Sequence, residues 1–154
     1  LVSEFHLSEG AIGTFFAVIG ILIVITQLFI LRLLARKYDE RTILRVSMIC
    51  VGIAIALYPF MGTLALTYLL LPFIAIPQGL SMANLTALVS KSVNPEKQGA
   101  ALGINGSLIA LATGIIPLTA GIGSAIVGIK SPFIAGGALI LFAWGILFLK
   151  FKRN

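Results

Sequence analysis

Five long apolar stretches, separated by short polar segments, fill most of this chain, and none carries Asp, Glu, Lys or Arg away from its ends. Each has about 20 or more residues, which is enough for a helix to cross a hydrocarbon layer about 30 Å thick. Because lipid cannot satisfy backbone polar groups, the pattern predicts an all-α fold, a polytopic transmembrane helix bundle. The predicted spans are residues 10–34, 42–61, 64–90, 98–122 and 132–151.

The composition supports a membrane protein over a soluble one. Apolar residues make up 59% of the chain and charged residues 10%, and the mean hydropathy is +1.11. A soluble five-helix bundle is the alternative, but it would need more charge to cover its surface. The single cysteine, Cys50, excludes a disulfide within the chain.

The net charge of +6 raises the question of a nucleic-acid partner, but the placement of the charges argues against one. When the five spans are threaded across a membrane, every Lys and Arg except Lys130 falls on the same side. This is the positive-inside bias of an inner or plasma membrane protein. It predicts that residues 1–9 lie outside the cell and that the C-terminus is cytoplasmic.

With five spans and an external start, the N-terminus must be transferred across the membrane, and the sequence does not show how this occurs. The chain also begins with Leu1 instead of Met. We therefore expect it to be a fragment, or the ordered part, of a longer membrane protein.

The third span carries the most unusual polar pattern. Pro72 and Pro77 each remove one helical hydrogen bond and predict kinks, and Gln78, Ser81 and Asn84 follow at three-residue spacing. A kinked membrane helix with a polar stripe is typical of a cavity wall, although hydrogen bonding between helices is the alternative. The predicted substrate-binding residues are Gln78, Ser81, Asn84, Asn105 and Gln27, and alanine at Gln78 or Asn84 is expected to alter transport more than abundance.

The fourth span has a continuous face of small residues. This face permits close approach of a neighbouring helix, and Pro117 in the same span predicts a further kink. The second span is the plainest and is predicted to lie at the lipid-facing periphery. The glycines predicted to serve helix packing are Gly99, Gly103, Gly106, Gly114 and Gly121.

Motifs for catalysis or metal binding are missing from the sequence. It has no phosphate loop, HExxH, CxxC or GxSxG pattern, so no enzyme activity, cofactor or metal is predicted. The five acidic residues lie in or beside the predicted loops. A proton relay would therefore lie in another part of the molecule, or the coupling works differently.

The segment from Gly79 to Gly121 resembles the tenth helix, the following loop and the eleventh helix of major facilitator superfamily transporters. The matching features are Ser90-Lys91, the Pro95-Glu96-x-x-Gly99 turn, Ser107 and Pro117. The likeness is greatest to the drug:proton antiporters, which include the tetracycline efflux proteins.

The loop of residues 32–45 is similar to a degenerate second copy of the cytoplasmic motif of this family. Leu34, Ala35, Lys37 and Arg41 fit that motif, whereas Arg32, Arg36 and Asp39 depart from it. The cytoplasmic motif loop is thus represented by Arg36, Lys37, Asp39 and Arg41.

The resemblance implies helices eight to twelve of a twelve-helix protein, without the N-terminal half and the seventh helix. In this family the tenth helix lines the central cavity, and the eighth and eleventh pack against the N-terminal half. The expected function is secondary active transport of a small organic solute, by proton-coupled drug efflux through alternating access. An importer of sugars, peptides or metabolites is one alternative, and a non-transporting membrane subunit or receptor is the other. The expected partners are the lipid bilayer, the N-terminal transporter half, the substrate and protons.

Overall fold

The computed structural model describes residues 9–152, so Arg153 and most of the predicted external segment lie outside the described residues. The described residues form five long helices, each long and apolar enough to cross a membrane. The predicted all-α transmembrane fold is confirmed. Helix α1 runs through Glu9–Ile25, a π-helical segment Thr26–Ile30 and a last α-helical part Leu31–Ala35, and it is followed by α2 (Glu40–Leu57), α3 (Leu64–Lys91), α4 (Gln98–Ile126) and α5 (Ser131–Lys152).

Local chemistry sets the ends of these helices. Thr63 precedes α3, and its hydroxyl oxygen accepts a hydrogen bond from the backbone N–H of Leu66 at 3.3 Å. Pro95 opens a short 3₁₀ turn, Pro95–Lys97, that leads into α4. Gly128 has a φ of 116°, a conformation that side chains disfavour, and it forms the turn between α4 and α5.

Helix α2 packs against both α3 and α5. It has the largest buried share of the five helices, and its buried residues are Ile43, Leu44, Ser47, Val51, Gly52 and Ala54. The helix therefore buries one face against its neighbours, and its place at the lipid-facing periphery stays a prediction. The opposite face remains exposed, with Val46, Ile53 and Leu57.

The close approach of α2 and α5 accounts for part of the buried face of α2. A Cβ atom added at Gly137 would lie 2.7 Å from the carbonyl oxygen of Gly52 and 2.8 Å from the Cβ of Ala56. The two backbones are thus nearly in contact, as small residues allow in membrane helices. The signal in the sequence is the four-residue spacing of Gly52 and Ala56, which is easy to overlook in an otherwise plain apolar span.

The three prolines lie inside helices that continue without interruption. Pro72 and Pro77 are within α3, and Pro117 is within α4. The kinks at these positions stay predictions. The irregular segment is instead in α1 at Thr26–Ile30, where the Oγ1 of Thr26 donates to the carbonyl oxygen of Leu22 at 2.7 Å.

The two ends of the bundle differ in their charges. At one end Lys91 forms an ion pair with Glu40, which joins the start of α2 to the end of α3. At the other end the ammonium group of Lys130 lies 5.5 Å from the ring centroid of Phe60. The ring of Tyr58 stacks on Phe133 at the same end, with a centroid distance of 4.8 Å. The basic loops before α2 and before α4 therefore share one end.

Candidate functional site

Two of the predicted binding residues, Gln27 and Gln78, adjoin in sequence the residues at which α1 and α3 cross. A Cβ atom at Gly79 would lie 3.4 Å from the Cγ2 of Thr26 and 3.6 Å from the Cα of Ile23. Thr26 is fully buried at this contact. Gln27 follows Thr26 and Gln78 precedes Gly79, so each lies beside the crossing on its own helix.

Both amide side chains are exposed, which means that no other part of the described chain covers them. Gln78 lies near the middle of α3, and Gln27 lies in the π-helical segment of α1. A polar side chain at such depth is costly against lipid and normally faces the interior of the protein or a water-filled cavity. The crossing therefore offers hydrogen-bond donors and acceptors to a solute or to a further helix.

Ser81 occupies a different environment, between α3 and α2. Its Oγ donates a hydrogen bond to the Oγ of Ser47 at 2.8 Å, and the Oγ of Ser47 donates to the carbonyl oxygen of Leu44 at 3.0 Å. Ser47 is buried and Ser81 is half-buried. In this conformation Ser81 takes part in helix–helix hydrogen bonding, which was the alternative considered for the stripe.

Asn84 is also enclosed, with 2% of its surface exposed. Its Nδ2 donates to the carbonyl oxygen of Leu80, one turn earlier in α3, at 2.8 Å. The stripe on α3 is therefore divided among three environments. Gln78 is open, Ser81 bonds to α2, and Asn84 is buried in the packed part of the bundle.

Replacing Ser81 with alanine is expected to lower the free energy of unfolding by about 0.6 kcal/mol, the typical value for a hydrogen bond between membrane helices. The loss is small because Ser47 keeps its bond to Leu44. Unfolding of the purified variant in detergent measures the effect. Thr86→Ala is the matched control, since the Thr86 hydroxyl is exposed and bonds only within α3, to Met82. A loss as large in the control would contradict the assignment.

The small-residue face predicted on α4 is exposed. Asn105 is half-buried on this helix. No described residue of α4 is buried, and Cβ atoms added at its five predicted packing glycines would meet no other atom within 4 Å. The described chain therefore does not supply the neighbour that this small-residue face could accommodate.

The loop between α1 and α2 holds the residues of the predicted cytoplasmic motif. Arg36, Lys37, Asp39 and Arg41 are all exposed. The hydroxyl of Thr42 donates to the Oδ1 of Asp39, and this bond, opposed by a smaller desolvation effect, lowers the pKa of the Asp39 carboxyl. The second acid, Glu40, pairs with Lys91. Both carboxylates thus have partners on their own end of the bundle.

Replacing Thr42 with valine is expected to raise the pKa of Asp39 toward its usual range. The lowered pKa means that the folded loop binds the proton more weakly than the unfolded chain does. Its contribution to stability is therefore present above the ordinary pKa and is lost as the pH falls through the lowered pKa. Titration of the carboxyl carbon by NMR measures the shift, and an unchanged pKa in the variant would show that the hydroxyl is not its cause.

The described residues offer no group of three or more His, Cys, Asp or Glu side chains able to hold a metal ion. What the α1–α3 crossing provides is amide hydrogen bonding within apolar surroundings. Sequence reasoning found the amides but missed Thr26 and the π-helical segment beside them. The sequence carries no clear signal for this segment, because threonines elsewhere make the same bond to the preceding turn within regular α-helix.

Comparison with known proteins identifies the family. A family model for the Major Facilitator Superfamily matches residues 1–154. No curated protein and no solved structure gives a significant match. The family match covers the whole chain, and the described residues supply five helices suited to a membrane. The chain therefore belongs to the Major Facilitator Superfamily and is a multi-pass membrane protein of the transporter type.

Proposed function

We propose that this chain forms helices eight to twelve of a transporter that exports small, drug-like organic solutes in exchange for protons. The observation that carries the proposal is the pair of exposed amides, Gln27 and Gln78, beside the α1–α3 crossing. They are positioned to bind a solute through a few hydrogen bonds, while most of the surrounding surface is apolar. Large apolar walls with few polar groups suit drug-like molecules better than sugars.

The open surfaces support the place of this chain in a larger bundle. Helix α3 packs against both α1 and α2. Helices α4 and α5 border a cleft of 530 Å³ whose lining includes Thr119, Gly123 and Gly136. We propose that a seventh helix covers this cleft and that the N-terminal half covers the small-residue face of α4. Alternating access would then come from rocking of the two halves around a site at the middle of the membrane.

Proton coupling fits the placement of acids in the chain. Asp39, Glu40 and Glu96 lie in loops or at helix ends, and no described helix carries Asp or Glu in its interior. A carboxylate that takes up and releases the coupling proton would therefore belong to the N-terminal half. The orientation proposed here has the basic loops and the C-terminus in the cytoplasm of an inner or plasma membrane.

Inside-out vesicles that contain the full-length protein test the proposal. With an imposed gradient, acid inside, a fluorescent lipophilic cation or tetracycline should accumulate in the vesicles, and collapse of the gradient with an ionophore should abolish accumulation. Empty vesicles are the control. Gradient-independent flux of a sugar or a peptide would favour the importer instead, and no flux of any tested solute would favour a non-transporting subunit.

A further inference from the structure

A groove of 390 Å³ runs along α2, between the end of α1 and the middle of α3. We call it the α2 groove. Its walls are mostly apolar and include Leu34, Ile43, Val46, Pro77 and Leu80. From Thr42 to Cys50 it follows α2 for about 12 Å. It opens on the exposed face of this helix, because Val46 and Cys50 are both exposed.

Two of the polar side chains that line the α2 groove, Thr42 and Ser47, already have partners. The hydroxyl of Thr42 donates to Asp39, and Ser47 accepts from Ser81 while donating to Leu44. A polar solute would find few free hydrogen-bonding groups there. The body of an occupant is therefore a hydrocarbon chain, which needs no such groups.

Two basic residues precede the loop end of the α2 groove in the sequence. Tyr38 lines the groove at its loop end, and Arg36 and Lys37 lie directly before it in the sequence with exposed side chains. The two acids of this region, Asp39 and Glu40, are engaged by Thr42 and Lys91. Cations next to a membrane attract anionic lipid headgroups, and an interfacial tyrosine suits the headgroup level.

We propose that the α2 groove binds one anionic phospholipid, with an acyl chain against Val46 and Leu80 and the phosphate group at Arg36 and Lys37. The groove supplies a shaped site for the acyl chain of the lipid, and the two cations favour an anionic headgroup. The proposal depends only on these five helices lying in a bilayer. It therefore stands or falls separately from the solute that the protein transports.

Cys50 is the only cysteine of this chain and lines the α2 groove, so it can carry a fluorescent probe. The full-length protein, with any cysteine outside this chain replaced by serine, is labelled at Cys50 and placed in phosphatidylcholine nanodiscs. Phosphatidylglycerol with brominated acyl chains is then added, and brominated phosphatidylcholine serves as the reference. Half-maximal quenching is expected at a severalfold lower mole fraction of the phosphatidylglycerol.

The double variant Arg36→Gln/Lys37→Gln should abolish this preference, because each cation near the membrane surface strengthens the attraction of an anionic headgroup by up to roughly fivefold. The matched control is Lys97→Gln/Lys130→Gln, which removes the same charge elsewhere and should keep the preference. Equal quenching by both lipids in the parent protein, or an equal loss in the control, would overturn the proposal.

A second measurement does not depend on the probe. Native mass spectrometry of the unlabelled protein should retain one more phosphatidylglycerol molecule than the variant Val46→Trp, whose larger side chain fills the α2 groove. Displacement of that lipid by a transported drug would assign the groove to the solute. Efficient Cys50–Cys50 crosslinking would assign it to a second copy of the protein. Either outcome would overturn the proposal.

Discussion

Replacing Gly137 with alanine is expected to destabilise the bundle by about 1–3 kcal/mol, the usual cost of overpacking a well-filled interface. The added methyl group would lie 2.7 Å from the carbonyl oxygen of Gly52 and 3.0 Å from the backbone nitrogen of Ala56. These are backbone atoms, so no side chain can turn aside to make room. Helices α2 and α5 would have to separate. Thermal or denaturant unfolding in detergent measures the loss, together with the yield of folded protein.

The neighbouring glycine provides a matched control on the same helix. A Cβ atom at Gly136 would meet only Ile55, at 3.9 Å, which is an ordinary contact. Gly136→Ala should therefore be neutral or slightly stabilising, because alanine favours a helix over glycine. Gly52→Ala should fall between the two, since its nearest contact is the side chain of Leu141 at 3.0 Å. Equal stability of the variants at Gly136 and Gly137 would contradict the close approach.

Replacing Gln78 with alanine is expected to lower transport efficiency about tenfold while leaving protein abundance nearly unchanged. An exposed side chain contributes little to folding, so stability should change by no more than about 0.5 kcal/mol. The loss of one hydrogen bond to the solute, at about 1.4 kcal/mol, accounts for the tenfold effect. Initial rates in inside-out vesicles, normalised to the amount of folded protein, measure the change. This prediction rests on the proposed function.

The variant Asn84→Ala distinguishes a role in solute binding from a structural role. The sequence alone predicts the same response at Asn84 as at Gln78. Because Asn84 is buried and bonds to Leu80, its replacement should instead lower stability and abundance together with transport. Thr86→Ala, at an exposed position of the same helix, should leave transport and stability unchanged. Normal transport by Gln78→Ala would remove this residue from the binding site.

The lipid environment and the all-α fold class could be predicted from the sequence. A run of about 20 apolar residues needs a lipid environment, and lipid requires each backbone to satisfy itself as a helix. The five predicted spans therefore reappear as five helices of the described chain. The start of α4 at Pro95 rests on an equally local signal, because proline suits the first turn of a helix.

Contacts between helices could not be predicted from the sequence in the same way. Periodicity placed Gln78, Ser81 and Asn84 on one broad stripe, but it could not show which neighbour covers each part of that stripe. Ser81 meets Ser47, which is 34 positions away in the sequence. The burial of α2 likewise depends on Gly137 in the last helix, and the spacing of Gly52 and Ala56 within α2 does not identify that partner.

The sequence by itself determined that this protein is a helical membrane bundle with most of its basic residues at one end. Those properties follow from the transfer of single side chains between water and lipid, which composition and spacing record directly. Only the tertiary structure decided that α2 packs between α3 and α5, that the amides beside the α1–α3 crossing remain open, and that a groove lies below the basic loop. Side-chain packing depends on the shapes of residues that are distant in the chain. In lipid, van der Waals packing between those shapes holds helices together in place of the hydrophobic effect.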